Sequence, residues 1–150
     1  MAQAEATTKT ALSLGQHFLD ILSTGGGPTA LEPLLSESFT WKIFPESLGA
    51  LPRNKDDYLL IIGNLSNLYK SLKATKVLDT VDAGDSAVLH LHIQLQHGTT
   101  DEVFGCEYIF IFRSSPDGKL ASVTEFVDAE VTRKSWAAGD GVGFNLLNKE

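Results

Sequence analysis

A single cysteine, Cys106, in 150 residues leaves no internal disulfide to form, so the fold must be held by its core rather than by cross-links. No window gathers five or more basic residues, and acidic side chains outnumber basic ones by 19 to 12, for a formal net charge of −7. That balance argues against a face that binds a phosphate backbone by releasing counterions, so nucleic acid is not an expected partner. No stretch approaches the ~20 apolar residues of a membrane span. The opening MAQAEATTKTALSLG has no apolar run of the signal-peptide kind, which leads to the expectation of a cytoplasmic protein. The glycine run at 25–27 lacks a lysine and a strand–turn–helix setting, so it reads as a linker rather than a phosphate loop. What is present is ordinary for a globular chain: 43% hydrophobic residues, enough for one core and one domain over 1–150.

In chain order, Ala11, Leu14, Phe18, Ile21 and Leu22 fall at helical spacing within 9–23, and Gly25-Gly26-Gly27-Pro28 ends that helix. A short helix over 29–35 is interrupted by Pro33, and Phe39, Trp41 and Ile43 then alternate with polar residues as in a half-buried strand. Asn54 caps a long helix with Asp56 and Asp57 in its first turn. Its apolar stripe runs Tyr58, Ile61, Ile62, Leu65, Leu68, Tyr69, Leu72. The period then changes to two. Strands are expected over 73–81, 87–96, 101–113 and 119–129, with a last helical turn over 133–138 and a tail from 139. Helices first and an antiparallel meander after them define an α+β class, with a curved sheet wrapped around the long helix.

Hairpin loops give a provisional register, with His92 opposite Cys106, His90 opposite Tyr108, and Tyr108 opposite Thr124. One sheet face then carries His90, His92, Gln94, Phe104, Cys106, Tyr108, Phe110, Phe112, Thr124, Phe126 and Asp128. The other is aliphatic (Leu89, Leu91, Ile93, Leu95, Val123, Val127), with Glu107 and Glu125 as exceptions. Aromatic walls with a few polar groups suit a pocket, and an aliphatic face left outside would demand a partner. The inverse packing, aliphatic face inward and the histidines outward, is equally compatible with the pattern.

This order of elements resembles the SnoaL-like proteins of the nuclear-transport-factor-like, cystatin-related cone fold. The segment Pro45-Glu46-Ser47-Leu48-Gly49 before the long helix and the final DGKLASVTEFVDA are similar to small fungal members, over about residues 10–137. The resemblance implies an internal pocket between helices and sheet, a hydrophobic small molecule as partner, no cofactor, and a homodimer through the outer sheet face. It also implies acid/base chemistry of a polyketide-cyclase-like isomerase or lyase in secondary metabolism, with Asp128 as the final-strand carboxylate. Phe126 stands where many members carry histidine, two residues before that carboxylate. The same cavity in a non-catalytic ligand-binding or interaction module is the alternative.

The expected catalytic set is Asp128, His92, His90 and Tyr108: the carboxylate to move a proton, the others to stabilise a developing enolate. Phe18, Trp41, Tyr58, Ile62, Phe104, Cys106 and Phe126 are expected to line the pocket. The His90-x-His92 pair has no compact third ligand nearby, so no metal site is expected. Cys106, between bulky neighbours, reads as a packed thiol.

Overall fold

The computed structural model describes residues 9–139; the tail expected from 139 onward lies outside them after its first residue. Helices α1 (Ala11–Ser23), α2 (Gly27–Leu31), α3 (Lys55–Leu68) and α4 (Ala129–Ala137) accompany strands β1 (Leu35–Phe44), β2 (Arg53–Asn54), β3 (Tyr69–Asp82), β4 (Ser86–His97), β5 (Val103–Ser114) and β6 (Leu120–Val127). The strands form one unclosed sheet in the order β2-β1-β6-β5-β4-β3. Every neighbouring pair is antiparallel except β1 with β6, which run parallel.

Both long helices start on a side-chain cap. Thr10 accepts the Ser13 N–H before α1, and Asn54 accepts the Asp57 N–H before α3. α1 buries Ala11, Leu14, Phe18 and Ile21 against the sheet, and it comes so close that a Cβ on Gly15 would lie 2.4 Å from the Phe112 ring. α3 buries Tyr58, Ile61, Ile62 and Leu68. Its first residue, Lys55, is buried with Nζ 3.0 Å from Glu32 and 3.1 Å from Glu37, tying the helix start to the turn before β1 and to β1 itself.

α3 is shorter than its apolar stripe suggests. Tyr69 and Leu72 continue the helical spacing, yet the chain enters β3 at Tyr69, which pairs with His97 while Leu72 pairs with Leu95. Ladder pairing with β4 outweighs a local periodicity that serves either conformation.

The register departs from the hairpin estimate at both turns. His92 pairs with Glu107 rather than Cys106, and Tyr108 with Val127 rather than Thr124. The first shift, of one residue, comes from the β4–β5 loop. The His97 N–H donates to Glu102 O, Asp101 takes a left-handed φ of 61°, and His97 Nδ1 accepts the N–H groups of Thr99 and Thr100. The second comes from the β5–β6 turn, with an irregularity between Arg113 and Ser114 beside the Ser115 N–H to Lys119 O bond. Odd shifts exchange sheet faces. The inner face therefore combines Leu89, Leu91, Ile93 and Leu95 of β4 with Cys106, Tyr108, Phe110 and Phe112 of β5 and Val123 and Val127 of β6, all buried. Neither face assignment drawn from the sequence holds whole: β5 keeps its place in the aromatic face while β4 and β6 change sides.

Candidate active site

The change of sides brings a carboxylate inward. Glu125 lies on β6 between Val123 and Val127, which are both buried, and pairs with Phe110 on one side and Ile43 on the other. Trp41, two residues before Ile43 on the same face of β1, donates its indole N–H to Glu125 Oε2. α3 supplies the roof. The Tyr58 ring lies 5.2 Å from Trp41, 5.4 Å from Phe39 and 6.3 Å from Phe18 between centroids. On the floor, Tyr108, Phe110 and Phe112 stack in turn along β5 at 5.3 and 5.6 Å.

Glu125 retains partial solvent accessibility although Val123 and Val127, its neighbours on the same strand face, have almost none. The hydroxyls of Tyr58 and Tyr108 behave alike: among the described residues neither has a hydrogen-bond partner, and neither is sealed off as a buried orphan. A carboxylate and two phenols thus stand within electrostatic reach of one another on the inner side, among otherwise apolar and aromatic residues, a make-up that suits a small-molecule site. Toward α4, Tyr69 Oη lies 2.8 Å from Ser135 Oγ and Cys106 Sγ 3.6 Å from Thr132 Oγ1. On the helical side, a cleft of ≈ 250 Å³ between α1, α2, α3 and β3 is lined by Ile21, Ile62, Leu65 and Tyr69 among others.

Burial sets the electrostatics. It raises the Glu125 carboxyl to about 7, against the opposing hydrogen bond from Trp41. Tyr58 and Tyr108 are pushed well above the ordinary phenol range, first by burial and then by facing charges that include Glu125. Tyr69 rises to about 12 and the Cys106 thiol rises too, again chiefly by burial. The phenols therefore stay protonated as donors near neutral pH, while Glu125 populates both of its forms.

Several expected site residues stand elsewhere. Asp128 is exposed and caps α4, its carboxylate accepting the Val131 N–H at 3.2 Å. It follows the last residue of β6, where a turn into helix rewards an acceptor. His90 and His92 point to the outer face because of the one-residue hairpin shift, and His90 Nε2 lies 2.6 Å from Glu107 Oε2. Phe126 is 52% exposed on that outer face. Phe104 is half-buried near the start of β5, and Cys106 sits under α4. Phe18, Trp41, Tyr58, Ile62 and Tyr108 are buried on the inner side, and Trp41, Tyr58 and Tyr108 gather around Glu125. Glu125 itself escaped the sequence reading, although the signal was present: an acid at an alternation position flanked by Val123 and Val127. The outer face is correspondingly mixed, with His90, His92 and Gln94 beside Ile109, Ile111 and Phe126, and lacks the aliphatic β4 stripe that was to drive pairing there.

The architecture has the same α+β cone fold as solved structures described as NTF2-like and as a SnoaL-like polyketide cyclase. PrhC from Penicillium brasilianum superposes with a TM-score of 0.79 at 17% identity, over 96% of this chain and 100% of that one. BvnE pinacolase from Penicillium brevicompactum gives 0.71 at 20% identity, over 83% and 89%. A protein from Jannaschia sp. CCS1 described as a SnoaL-like polyketide cyclase gives 0.65 at 12% identity, over 92% and 99%. No protein-family model matches the chain, and no curated protein matches it by sequence. At these identities the likeness is one of fold.

Proposed function

We propose that this protein is a cofactor-independent acid/base enzyme that rearranges a hydrophobic metabolite, as a cyclase, isomerase or dehydratase, with Glu125 as the proton carrier. The observation that carries this reading is the Trp41–Glu125 hydrogen bond among the aromatic residues of the inner side. The indole occupies one carboxylate oxygen and orients the group, leaving the other for substrate. A carboxyl raised to about 7 is poised for transfer in either direction at neutral pH. Tyr58 and Tyr108 supply donors to a substrate carbonyl, so that a proton taken from the adjacent carbon by Glu125 leaves an enolate held by two phenols. Return of the proton to another carbon of the same framework gives an isomer, and loss of a β-hydroxyl as water, protonated by the Glu125 carboxyl that took the proton, gives a dehydrated product. Two structural neighbours support the class: one is named a pinacolase and one described as a polyketide cyclase. A cytoplasmic location and a homodimer belong to the same proposal.

The test is turnover of a panel of polyketide and terpenoid ketones, lactones and diols by the natural chain, read by mass spectrometry as mass-neutral or dehydrated products. For any substrate found, Glu125→Gln is expected to slow the reaction at least ~100-fold while binding survives. Binding without turnover by the natural chain would instead support a ligand-binding module, and unchanged turnover in Glu125→Gln would remove Glu125 from the chemistry.

A further inference from the structure

All three tyrosines of the chain are buried, but their protons are not disposed alike. Ser135 Oγ donates to the Thr132 carbonyl oxygen at 2.9 Å, an atom that can only accept, so the single Ser135 hydroxyl proton is committed. Tyr69 Oη lies 2.8 Å from that same Oγ. The arrangement that satisfies every atom is Tyr69 O–H donating to Ser135 Oγ, a chain that runs from phenol to hydroxyl to helix carbonyl. The Trp136 indole, which can only donate, hydrogen-bonds to Tyr69 as well. Toward a ligand the Tyr69 oxygen can therefore only accept. Tyr58 and Tyr108 are the opposite case: among the described residues neither hydroxyl has a partner, so each keeps a proton to donate. Tyr69 stands where this polarity counts. It is 9% exposed, against 8% for Tyr108, and lies within electrostatic reach of both Glu125 and Tyr108.

We propose that Tyr69 is a specificity-determining residue that accepts a hydrogen bond from a substrate hydroxyl, which makes the substrate class a hydroxylated ketone. Its carbonyl oxygen is held by the Tyr58 and Tyr108 donors and its hydroxyl by Tyr69. The inference rests on the acid/base reading of Glu125 for the fate of the ketone, whereas recognition of the hydroxyl is a matter of binding alone. A ligand that turns a bare carbonyl or ether oxygen toward Tyr69 sets lone pair against lone pair and desolvates both without a hydrogen bond. A site built to bond a hydroxyl rejects the analogue that lacks it for the same reason. The polarity resides in α4 rather than in the strand that carries the phenol. Ser135 follows Thr132 by three residues in that helix, and its bond back to Thr132 O is what turns Tyr69 from donor into acceptor. Ser135 is itself 0% exposed, so no solvent competes for its proton. Without that serine, Tyr69 would present a proton as the other two phenols do.

Calorimetric and NMR titration with 4-hydroxy-1-tetralone, 4-methoxy-1-tetralone and 1-tetralone tests the proposal, with turnover of each followed separately by mass spectrometry. The natural chain should bind the hydroxy ketone at least ~5-fold more tightly than either of the others. Tyr69→Phe should remove that preference, with far-UV circular dichroism to verify folding. Ser135→Ala leaves the Tyr69 oxygen in place and releases its proton, so the methyl ether should draw level with the hydroxy ketone or overtake it. A serine that merely supports the fold would instead weaken all three alike. Equal binding of the three by the natural chain, binding of none, or a preference that survives Tyr69→Phe overturns the proposal. A hydroxyl preference without turnover upholds the role of Tyr69 and removes the acid/base reading, and turnover without the preference does the reverse.

Discussion

Trp41 and Glu125 stand 84 residues apart in the chain and meet through one hydrogen bond, indole N–H to Oε2. The bond exists because β1 and β6 run side by side in parallel, with Trp41 paired to Val123 and Ile43 to Glu125. It both satisfies a buried polar ring and fixes the direction of the one carboxylate on the inner face of β6.

The raised carboxyl makes stability depend on pH. Unfolded, Glu125 would ionise near 4.5; folded, it does so at about 7. Between those values the native state holds a proton that the unfolded state has released, so stability falls as pH rises through this window and levels off above about 7. The contribution is on the order of 3 kcal/mol at most. Urea unfolding from pH 4.5 to 8 should show the decline in the natural chain and its loss in Glu125→Gln.

Trp41→Phe removes the donor that opposes burial at Glu125. The carboxyl should then rise further, and the pH limb reporting its ionisation should move to higher pH. A pH–rate profile, or carboxyl-selective infrared titration where no substrate is known, reads the shift. A limb that stays in place would mean the indole does not stabilise the charged form.

Asp128→Ala should lose the cap of α4 and about 1 kcal/mol of stability. Turnover of any substrate should remain within a few-fold of the natural chain, read alongside the melting curve. A loss comparable to that of Glu125→Gln would return the acid/base role to Asp128.

How far the sequence could be read divides cleanly at the hairpins. Cap residues such as Asn54, the alternation in β4 and β5 and the element order were legible, because helix starts and strand faces are written in local spacing. Register was not. It depended on the His97 side chain gathering the Thr99 and Thr100 amides, and on one irregularity at Arg113/Ser114, neither of which has a period to detect. Two odd shifts sufficed to move His90 and His92 out and Glu125 in, and so to relocate the proposed chemistry while leaving the fold unchanged.

Gly15→Ala offers a check on packing. In an ordinary helix interior the change stabilises by up to about 1 kcal/mol. Here the added methyl would stand 2.4 Å from the Phe112 ring, so the sign should reverse, with a loss of about 1–3 kcal/mol by thermal unfolding.

The parallel β1–β6 contact also dictates when the Trp41–Glu125 bond can form. β1 is made early, but among the described strands its only other neighbour is the two-residue β2, so until β6 emerges it borders an empty slot where the sheet's largest elements should join. During synthesis a chain that has extended only through β5 carries roof and floor, but it carries the indole without its acceptor. The indole–carboxylate pair thus acts as a certificate of completeness, formed only when the last strand has been threaded between the first and the fifth.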